Sequence, residues 1–361
     1  MAKIKIPCPH CGRTLQCDEK YRDRKVKCPH CKELMLVPIA LPQPRAEPAK
    51  RSGAKWKLKR KLFLAASVLA VLMLAIIRLW LVPSTILHWP DRRPIGVLFL
   101  ASHYHSSATN PRGWFNEPSL NFTGTNGPEN FRKALMEYTD RSLEILKRTG
   151  AQGVIVWDLE GEQYPHKTTF IGDPRLVDRL APEMAPVVDE FFARLRNAGL
   201  RVGVTVRPQQ LVFDAEGAHQ SWVMNIKQSL LEKIDFARTR WGATLFYVDS
   251  NGGIRRPDEV MQMRSLAMQR PDILLIPEHD YLPYAAFSAP YVSMRKTDGA
   301  AGGAWKRKLF PGSFQAVDIS DEANDLPQIE AARSRGDILL FRAWTPTPEV
   351  RLLESFAQAQ K

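Results

Sequence analysis

The sequence predicts an α/β protein built on a TIM-type (β/α)8 barrel, preceded by a small cysteine-bearing module and one transmembrane helix. Three observations carry that reading. Strand-like apolar runs recur eight times after residue 90. Helical periodicities lie between several of them. An unbroken apolar run, Leu62–Val82, separates a basic segment holding every cysteine from a nearly neutral remainder with none.

The eight runs are Ile95–Ser102, Gly153–Trp157, Arg201–Val206, Thr244–Val248, Ile273–Ile276, Tyr291–Met294, Ala316–Ile319 and Asp337–Phe341. Most are continuously apolar or β-branched, as expected for parallel strands buried on both faces. Between them, Asn130–Arg148 places Phe131, Leu135, Tyr138, Leu143 and Leu146 at helical spacing and stops at Gly150. Glu183–Asn197 stops at Gly199, and Ser221–Arg240, Asp258–Gln269, Asp321–Ser334 and Pro348–Gln358 complete the expected helices. The connections after the fifth and sixth strands read as short or irregular. A doubly wound open sheet would need a phosphate-binding glycine loop after an early strand. Gly299–Gly303 follows the sixth strand and does not fit that pattern.

The charge is unevenly placed. Residues 1–61 carry 17 Lys+Arg against 5 Asp+Glu, whereas residues 62–361 carry 34 against 33. The overall net charge of +13 therefore says little about partners of the larger region. Leu62–Val82 is 21 residues with one charge, Arg78, and about 20 apolar residues suffice for a helix to cross a bilayer. It starts too far into the chain to read as a cleaved signal peptide. Lys50, Arg51, Lys55, Lys57, Lys59, Arg60 and Lys61 precede it, and only Arg92 and Arg93, beside Asp91, follow. Basic flanks stay on the cytoplasmic side. The expectation is a single-pass protein with a cytoplasmic N-terminus and a periplasmic or extracellular C-terminal region, with the lipid bilayer as a partner. The expected boundaries are 1–37 for the cysteine module, 38–61 for a basic Pro-rich linker, 62–82 for the transmembrane helix and 91–361 for the barrel.

Cys8-Pro9-His10-Cys11 and Cys28-Pro29-His30-Cys31 are two identical knuckles separated by 16 residues. Two thiolates three apart on a tight turn share one face of a metal, and two such turns complete a tetrahedral site. Cys8, Cys11, Cys28 and Cys31 are the expected ligands of a structural Zn2+. Cys17 is left over, and His10 and His30 are not expected to be ligands. A thioredoxin-type redox pair lacks its βαβ surroundings here. With the pattern I-x-C-P-H-C-G…V-K-C-P-H-C, about 35 residues resemble the short zinc ribbons at the N-termini of some bacterial membrane proteins. That resemblance implies a structural zinc and a role in binding a cytoplasmic protein partner. Nucleic acid is disfavoured, since Tyr21 is the one aromatic available for stacking.

Active sites of such barrels lie at the C-terminal ends of the strands. The polar residues that follow each run are His103 and His105, Asp158 and Glu160, Arg207 and Gln209, Asp249, then Glu278, His279 and Asp280, then Arg295 and Lys296, Asp318 and Asp321, and finally Arg342 and Trp344. Asp249 and Glu278 form the best pair, because each ends an apolar strand and the strands are neighbours. Glycoside cleavage needs two carboxyl groups, one to protonate the leaving oxygen and one to attack or to activate water. Asp249 is assigned as nucleophile or base and Glu278 as general acid. His103, His105, Asp158, Glu160, Arg207, His279, Asp318 and Trp344 are assigned to substrate binding. Trp157, Tyr247, Tyr281 and Tyr284 either stack on sugar faces or pack in the core.

On these residues, roughly 93–345 resembles the barrel glycoside hydrolases of the α-amylase and α-galactosidase type. The resemblance implies a nucleophilic aspartate after strand four and, in the α-amylase type, a glutamate acid/base after strand five and a further aspartate after strand seven. Asp249, Glu278 and Asp318 or Asp321 hold the matching positions. The α-amylase pattern places an arginine two residues before its nucleophile, where this chain has Tyr247. Two other readings stay open. His103-Tyr104-His105 looks like the metal-binding H-x-H of amidohydrolase barrels, although Arg295 and Arg342 stand where that family has metal ligands. The barrel also fits a catalytically inactive glycan binder. No cofactor is assigned to the barrel.

Overall fold

The computed structural model describes residues 3–37, 67–73, 87–157, 173–215, 217–252, 255–294, 304–320 and 325–359. The chain divides into two compact units, Met1–Leu72 and Met73–Lys361.

In the first unit β1 (Lys3–Pro7) pairs antiparallel with β2 (Thr14–Asp18), and β3 (Lys25–Lys27) with β4 (Leu34–Leu36). Each hairpin encloses one knuckle, Cys8–Cys11 in the first and Cys28–Cys31 in the second. Ile6, Leu15, Met35 and Val37 bury their side chains with Cys8 and Cys28. The linker at 38–61 lies outside the described residues.

The predicted transmembrane helix is corrected by the structure. Among the described residues no helix is long and apolar enough to cross a membrane. Of the run 62–82 the described part is 67–73, and it is helical. Among the described residues the fold is thus a barrel with a cysteine module and no membrane-crossing helix. The single-pass localisation, cytoplasmic N-terminus included, loses its support with it.

The second unit contains eight parallel strands: β5 (Ile95–Leu98), β6 (Gly153–Val156), β7 (Arg201–Val206), β10 (Leu245–Val248), β11 (Leu274–Pro277), β12 (Tyr291–Ser293), β13 (Ala316–Asp318) and β14 (Ile338–Arg342). Their order is β11-β10-β7-β6-β5-β14-β13-β12, so sequential strands are neighbours and the last lies beside the first. The seam between β11 and β12 is bridged where Ala289 N donates to Leu275 O at 2.9 Å, which brings the barrel close to closure.

Side chains alternate across each strand. One set, Ile95, Val97, Ile155, Leu245, Tyr247, Leu274, Ile276, Ala316, Ile338 and Leu340, forms the barrel interior. The other set, including Val154, Val156, Val202, Val204, Phe246, Val248, Leu275, Val317, Leu339 and Phe341, meets the helices. Interior space is shared unequally. A Cβ on Gly203 would lie 2.2 Å from Leu245 O, and one on Gly153 would lie 2.9 Å from Leu245 Cδ1. Gly203, on the neighbouring strand, thus makes room for Leu245, and Gly153, two strands away, for its side-chain tip as well as for Arg201 O at 2.5 Å. Trp89 closes the N-terminal end, with its indole N–H donating to Gln152 Oε1 at 3.0 Å.

The helices follow the sequence with small shifts at their ends. Gly127–Arg148 starts with Pro128 in its first turn, and Gly150 follows it at φ +65°. Val188–Asn197, Ile226–Trp241, Pro257–Gln269, Leu326–Ser334 and Pro348–Gln358 follow in order. One insertion was not anticipated. β8 (Gln209–Asp214) and β9 (Gly217–Trp222) form an antiparallel hairpin after the third barrel strand. Ser221 and Trp222, expected to open a helix, end β9 instead. The helix begins at Ile226 behind Asn225, whose side chain accepts the Gln228 N–H at 3.1 Å.

Candidate active site and cysteine metal centre

The inward parity of each barrel strand carries on past its last apolar residue. Ile95 and Val97 lead to Phe99, Leu245 and Tyr247 to Asp249, Leu274 and Ile276 to Glu278, and Ala316 to Asp318. The same alternation that fills the core therefore delivers rings and carboxylates to the C-terminal mouth.

Asp249 and Glu278 lie side by side there. Val248 and Pro277 are paired in register, so the two carboxylates follow adjacent strand ends, and burial followed by the negative charge of Asp249 pushes Glu278 above the usual carboxylate range. Their partners differ. Asp249 Oδ2 accepts from Arg207 Nε at 2.6 Å, and Arg207 Nη2 closes the ion pair. Glu278 Oε2 accepts the Ser250 N–H at 2.8 Å. Arg207, expected to bind substrate, is buried and contacts a carboxylate from the next strand.

Three braces hold this arrangement from behind. Lys233, fully buried on the helix Ile226–Trp241, donates Nζ to Arg207 O at 2.7 Å and to Gln209 O at 2.6 Å. It fixes the backbone that presents Arg207. Gln209 Nε2 donates to Ser250 O at 2.8 Å, tying that strand end to the loop after β10. In this loop Gly252 N donates to Glu259 Oε2 at 2.9 Å, and the Tyr284 hydroxyl donates to Glu259 Oε1 at 3.2 Å while accepting from Asn251 Nδ2 at 3.0 Å. Burial pushes the Glu259 carboxyl up. Ser250 sits at φ +53°, a left-handed conformation uncommon for a non-glycine residue, and in that conformation its N–H reaches Glu278.

Aromatic rings line the mouth. Phe99 stacks on Trp157 with centroids 5.3 Å apart, and Trp344 meets Phe99 edge-on at 5.4 Å. Trp157 contacts Tyr247 at 4.4 Å, and Tyr247 contacts Tyr291 at 5.5 Å. The Tyr291 hydroxyl donates to Asp318 Oδ2 at 2.8 Å. Burial, then the charges of Glu278 and Asp249, holds the Tyr247 hydroxyl well above its ordinary pKa. Burial, then Asp318, does the same for Tyr291. Asp318 thus joins the mouth through Tyr291.

The remaining sequence candidates divide. Trp344 is at the mouth. His279 follows Glu278 and is exposed, close enough for its charge to act on that carboxyl. His103 and His105 lie on a 3-10 turn after β5. At three residues per turn, positions two apart point in different directions, which removes the basis for a shared H-x-H metal face. Tyr281 and Tyr284 belong to the core behind the mouth. Asp280 is taken by Lys306 and by Gln315 Nε2 at 3.0 Å. Asp158, Glu160, Arg295, Lys296 and Asp321 lie outside the described residues. Sequence reasoning missed Phe99, Tyr291, Ser250 and Lys233. The first two carry a usable signal, since each sits on the inward parity of its strand.

Among the described residues, the group placed to hold a metal is Cys8, Cys11, Cys28 and Cys31, whose sulfurs all lie within 4.8 Å of one another. Cys8 Sγ and Cys31 Sγ are 3.7 Å apart, and Cys11 Sγ and Cys28 Sγ 3.9 Å. A disulfide requires about 2.05 Å, whereas a tetrahedron of sulfurs at about 2.3 Å from a zinc has edges of roughly 3.8 Å. The donor set fits. The two knuckles match in backbone too: Gly12 N donates to Cys8 O at 2.8 Å and Lys32 N to Cys28 O at 2.9 Å, with φ of +69° at Gly12 and +63° at Lys32. Backbone N–H groups, first that of Cys31, lower the Cys28 thiol to about 7. Cys17 faces Ile4 across the first hairpin, and His10 and His30 are exposed.

Among solved structures the neighbours of this chain are glycoside hydrolases. An α-amylase from Lactobacillus plantarum shares 11% identity over 74% of this chain and 80% of its own, with a TM-score of 0.46. The α-fucosidase of Thermotoga maritima shares 14% identity over 76% and 74%, with a TM-score of 0.41. A maltogenic α-amylase from Thermotoga neapolitana shares 13% identity over 64% of this chain, with a TM-score of 0.39, and this chain spans 60% of its length. No family model matches the chain, and no curated protein matches it.

Proposed function

We propose that the barrel acts on glycosides at its C-terminal mouth, with Glu278 as general acid and Asp249 as nucleophile or base. The observation that carries this is the placement of two carboxyl groups on adjacent strand ends with different partners, Arg207 for Asp249 and the Ser250 N–H for Glu278. Burial and a neighbouring anion favour a proton on Glu278, while Arg207 faces the Asp249 carboxylate. Pairs of titratable groups whose environments differ in this way mark acid and base assignments. In the reaction Glu278 gives its proton to the leaving glycosidic oxygen as the bond to the anomeric carbon breaks. Asp249 then either bonds that carbon or takes a proton from the attacking water. The sugar must lie between the two carboxyl groups for both to act on it. Partly exposed rings of Phe99, Trp157, Tyr291 and Trp344 offer faces for a carbohydrate. We also propose that the four cysteines hold a structural zinc.

A second reading is a glycan binder without turnover. The ion pair between Arg207 and Asp249 favours it, because that pair must loosen before Asp249 can attack. Hydrolysis of a glycoside panel by the full chain, run beside Asp249→Asn and Glu278→Gln, separates the two. The hydrolase predicts turnover in the native protein and a loss of about a hundredfold or more in each variant. Glycan binding that survives both substitutions with no native turnover would leave the binder.

A further inference from the structure

A second site lies at the opposite end of the barrel. A cavity of about 520 Å3 opens where β5 and β14 begin, bordered by Pro94, Asp337 and the C-terminal ends of the helices Gly127–Arg148, Leu326–Ser334 and Pro348–Gln358. That volume falls in the range of small-molecule pockets, about 300–1,000 Å3. We infer that it binds a phosphomonoester, with the phosphate among Arg92, Lys147 and Arg333 and the organic part against an apolar wall.

The charges of the lining are strongly one-sided. It contains Arg92, Arg93, Lys147, Arg148 and Arg333 against a single acid, Asp337. That acid is already committed, since its carboxylate accepts from Arg307 at 2.6 Å and from Arg335 at 3.0 Å. Arg93 is paired with Asp91 at 2.8 Å and Arg148 with Glu354 at 3.1 Å. Arg92, Lys147 and Arg333 have no carboxylate partner among the described residues. Such an excess is local, because residues 62–361 as a whole carry 34 basic against 33 acidic side chains.

Basic residues in the last turn of a helix often do no more than offset its dipole, and that accounts for Lys147, Arg148 and Arg333 in part. It does not account for Arg92, which precedes β5 and belongs to no helix. The Arg92 guanidinium lies 3.6 Å from the centroid of the Phe314 ring, and its Nη1 is buried with no hydrogen-bond partner among the described residues. Nor does it explain a cavity. Guanidinium forks and an ammonium around one cavity, with Asp337 the one acid in its lining, suit a dianionic phosphate better than a single carboxylate. Leu339, Leu353 and Phe356 form the apolar wall, and Arg333 lies 4.5 Å from the Phe356 ring centroid, at the junction of the two chemistries.

The test uses the full chain and calorimetric titration with inorganic phosphate, hexyl phosphate and hexanoate at constant ionic strength, with sedimentation on phosphatidic acid vesicles as a separate arm. The expected result is binding of hexyl phosphate more tightly than of inorganic phosphate or hexanoate, weakened about tenfold or more in Lys147→Gln/Arg333→Gln. Both positions are exposed, so the variant should fold. Vesicle binding that the same substitutions abolish, without binding of hexyl phosphate, would assign the phosphate to a lipid headgroup and uphold the site. Equal affinity for hexanoate, equal binding by the double variant, or no binding in either arm overturns the inference.

Discussion

The cysteine module and the barrel reach stability by opposite routes. In the module, residues 3–37 bury a core of Ile6, Leu15, Met35 and Val37 with two of the cysteines. Chains below about 40 residues usually need a metal or cross-links to fold, and the four converging sulfurs supply that place. The barrel instead nests two apolar layers, one inside the strands and one between strands and helices, and can afford buried charge at its mouth. The contrast teaches that a polar cluster has different meanings in the two regions. In the module it replaces a core, whereas in the barrel a completed core holds it in place.

Three experiments break or sharpen this comparison, from the largest effect down. Chelation should unfold the module, since structural zinc contributes about 10 kcal/mol or more to such folds. Hydrogen exchange in the full chain would read it as loss of protection at Cys8, Gly12, Cys28 and Lys32, and protection unchanged by chelation would remove the metal from the account. In the barrel, Leu245→Ala should cost about 3–5 kcal/mol, because Gly153 and Gly203 cannot refill the space, and denaturant unfolding measures it. A cost near zero would mean that the interior is not packed as described. Lys233→Met should cost about 2–4 kcal/mol by stranding the Arg207 and Gln209 carbonyls, and should lower turnover more than it raises KM if Arg207 is thereby misplaced.

Legibility in the sequence followed the same division. The module was readable because its chemistry is local: two knuckles, two spacings, and a turn at Gly12. The barrel was readable from its apolar runs, and Arg201–Val206 and Pro348–Gln358 fall on their expected bounds. The hairpin β8–β9 was missed because Gln209–Trp222 is too polar to read as buried strand, although Leu211-Val212-Phe213 ahead of Gly217 hinted at it. At the mouth, Asp249 and Glu278 were visible as residues ending adjacent strands. The influence of Asp249 on Glu278, and the pairing of Arg207 with Asp249, depend on where neighbouring strands stop relative to one another, which no single run encodes. Lys233 sits in a helical pattern as any surface lysine does, and only the packed structure reveals that it is buried. The apolar run 62–82 was the clearest signal of composition, yet the described structure contains no membrane-crossing helix.

The central proposal is that Glu278 is the proton donor, its carboxyl raised by burial and by the neighbouring Asp249. Titration of the Glu278 carboxyl carbon by NMR, in the native protein and in Asp249→Asn, tests it most directly. The account predicts a native pKa above the ordinary glutamate value and a fall when the Asp249 charge is removed, because that charge is the second cause of the shift after burial. The sign also fixes two pH effects. A carboxyl raised in the folded state binds more protons folded than unfolded, so its contribution to stability falls as pH rises through its native pKa. Turnover by a general acid should fall through the same window. A Glu278 pKa at or below the ordinary value, or one unchanged in Asp249→Asn, would contradict the assignment.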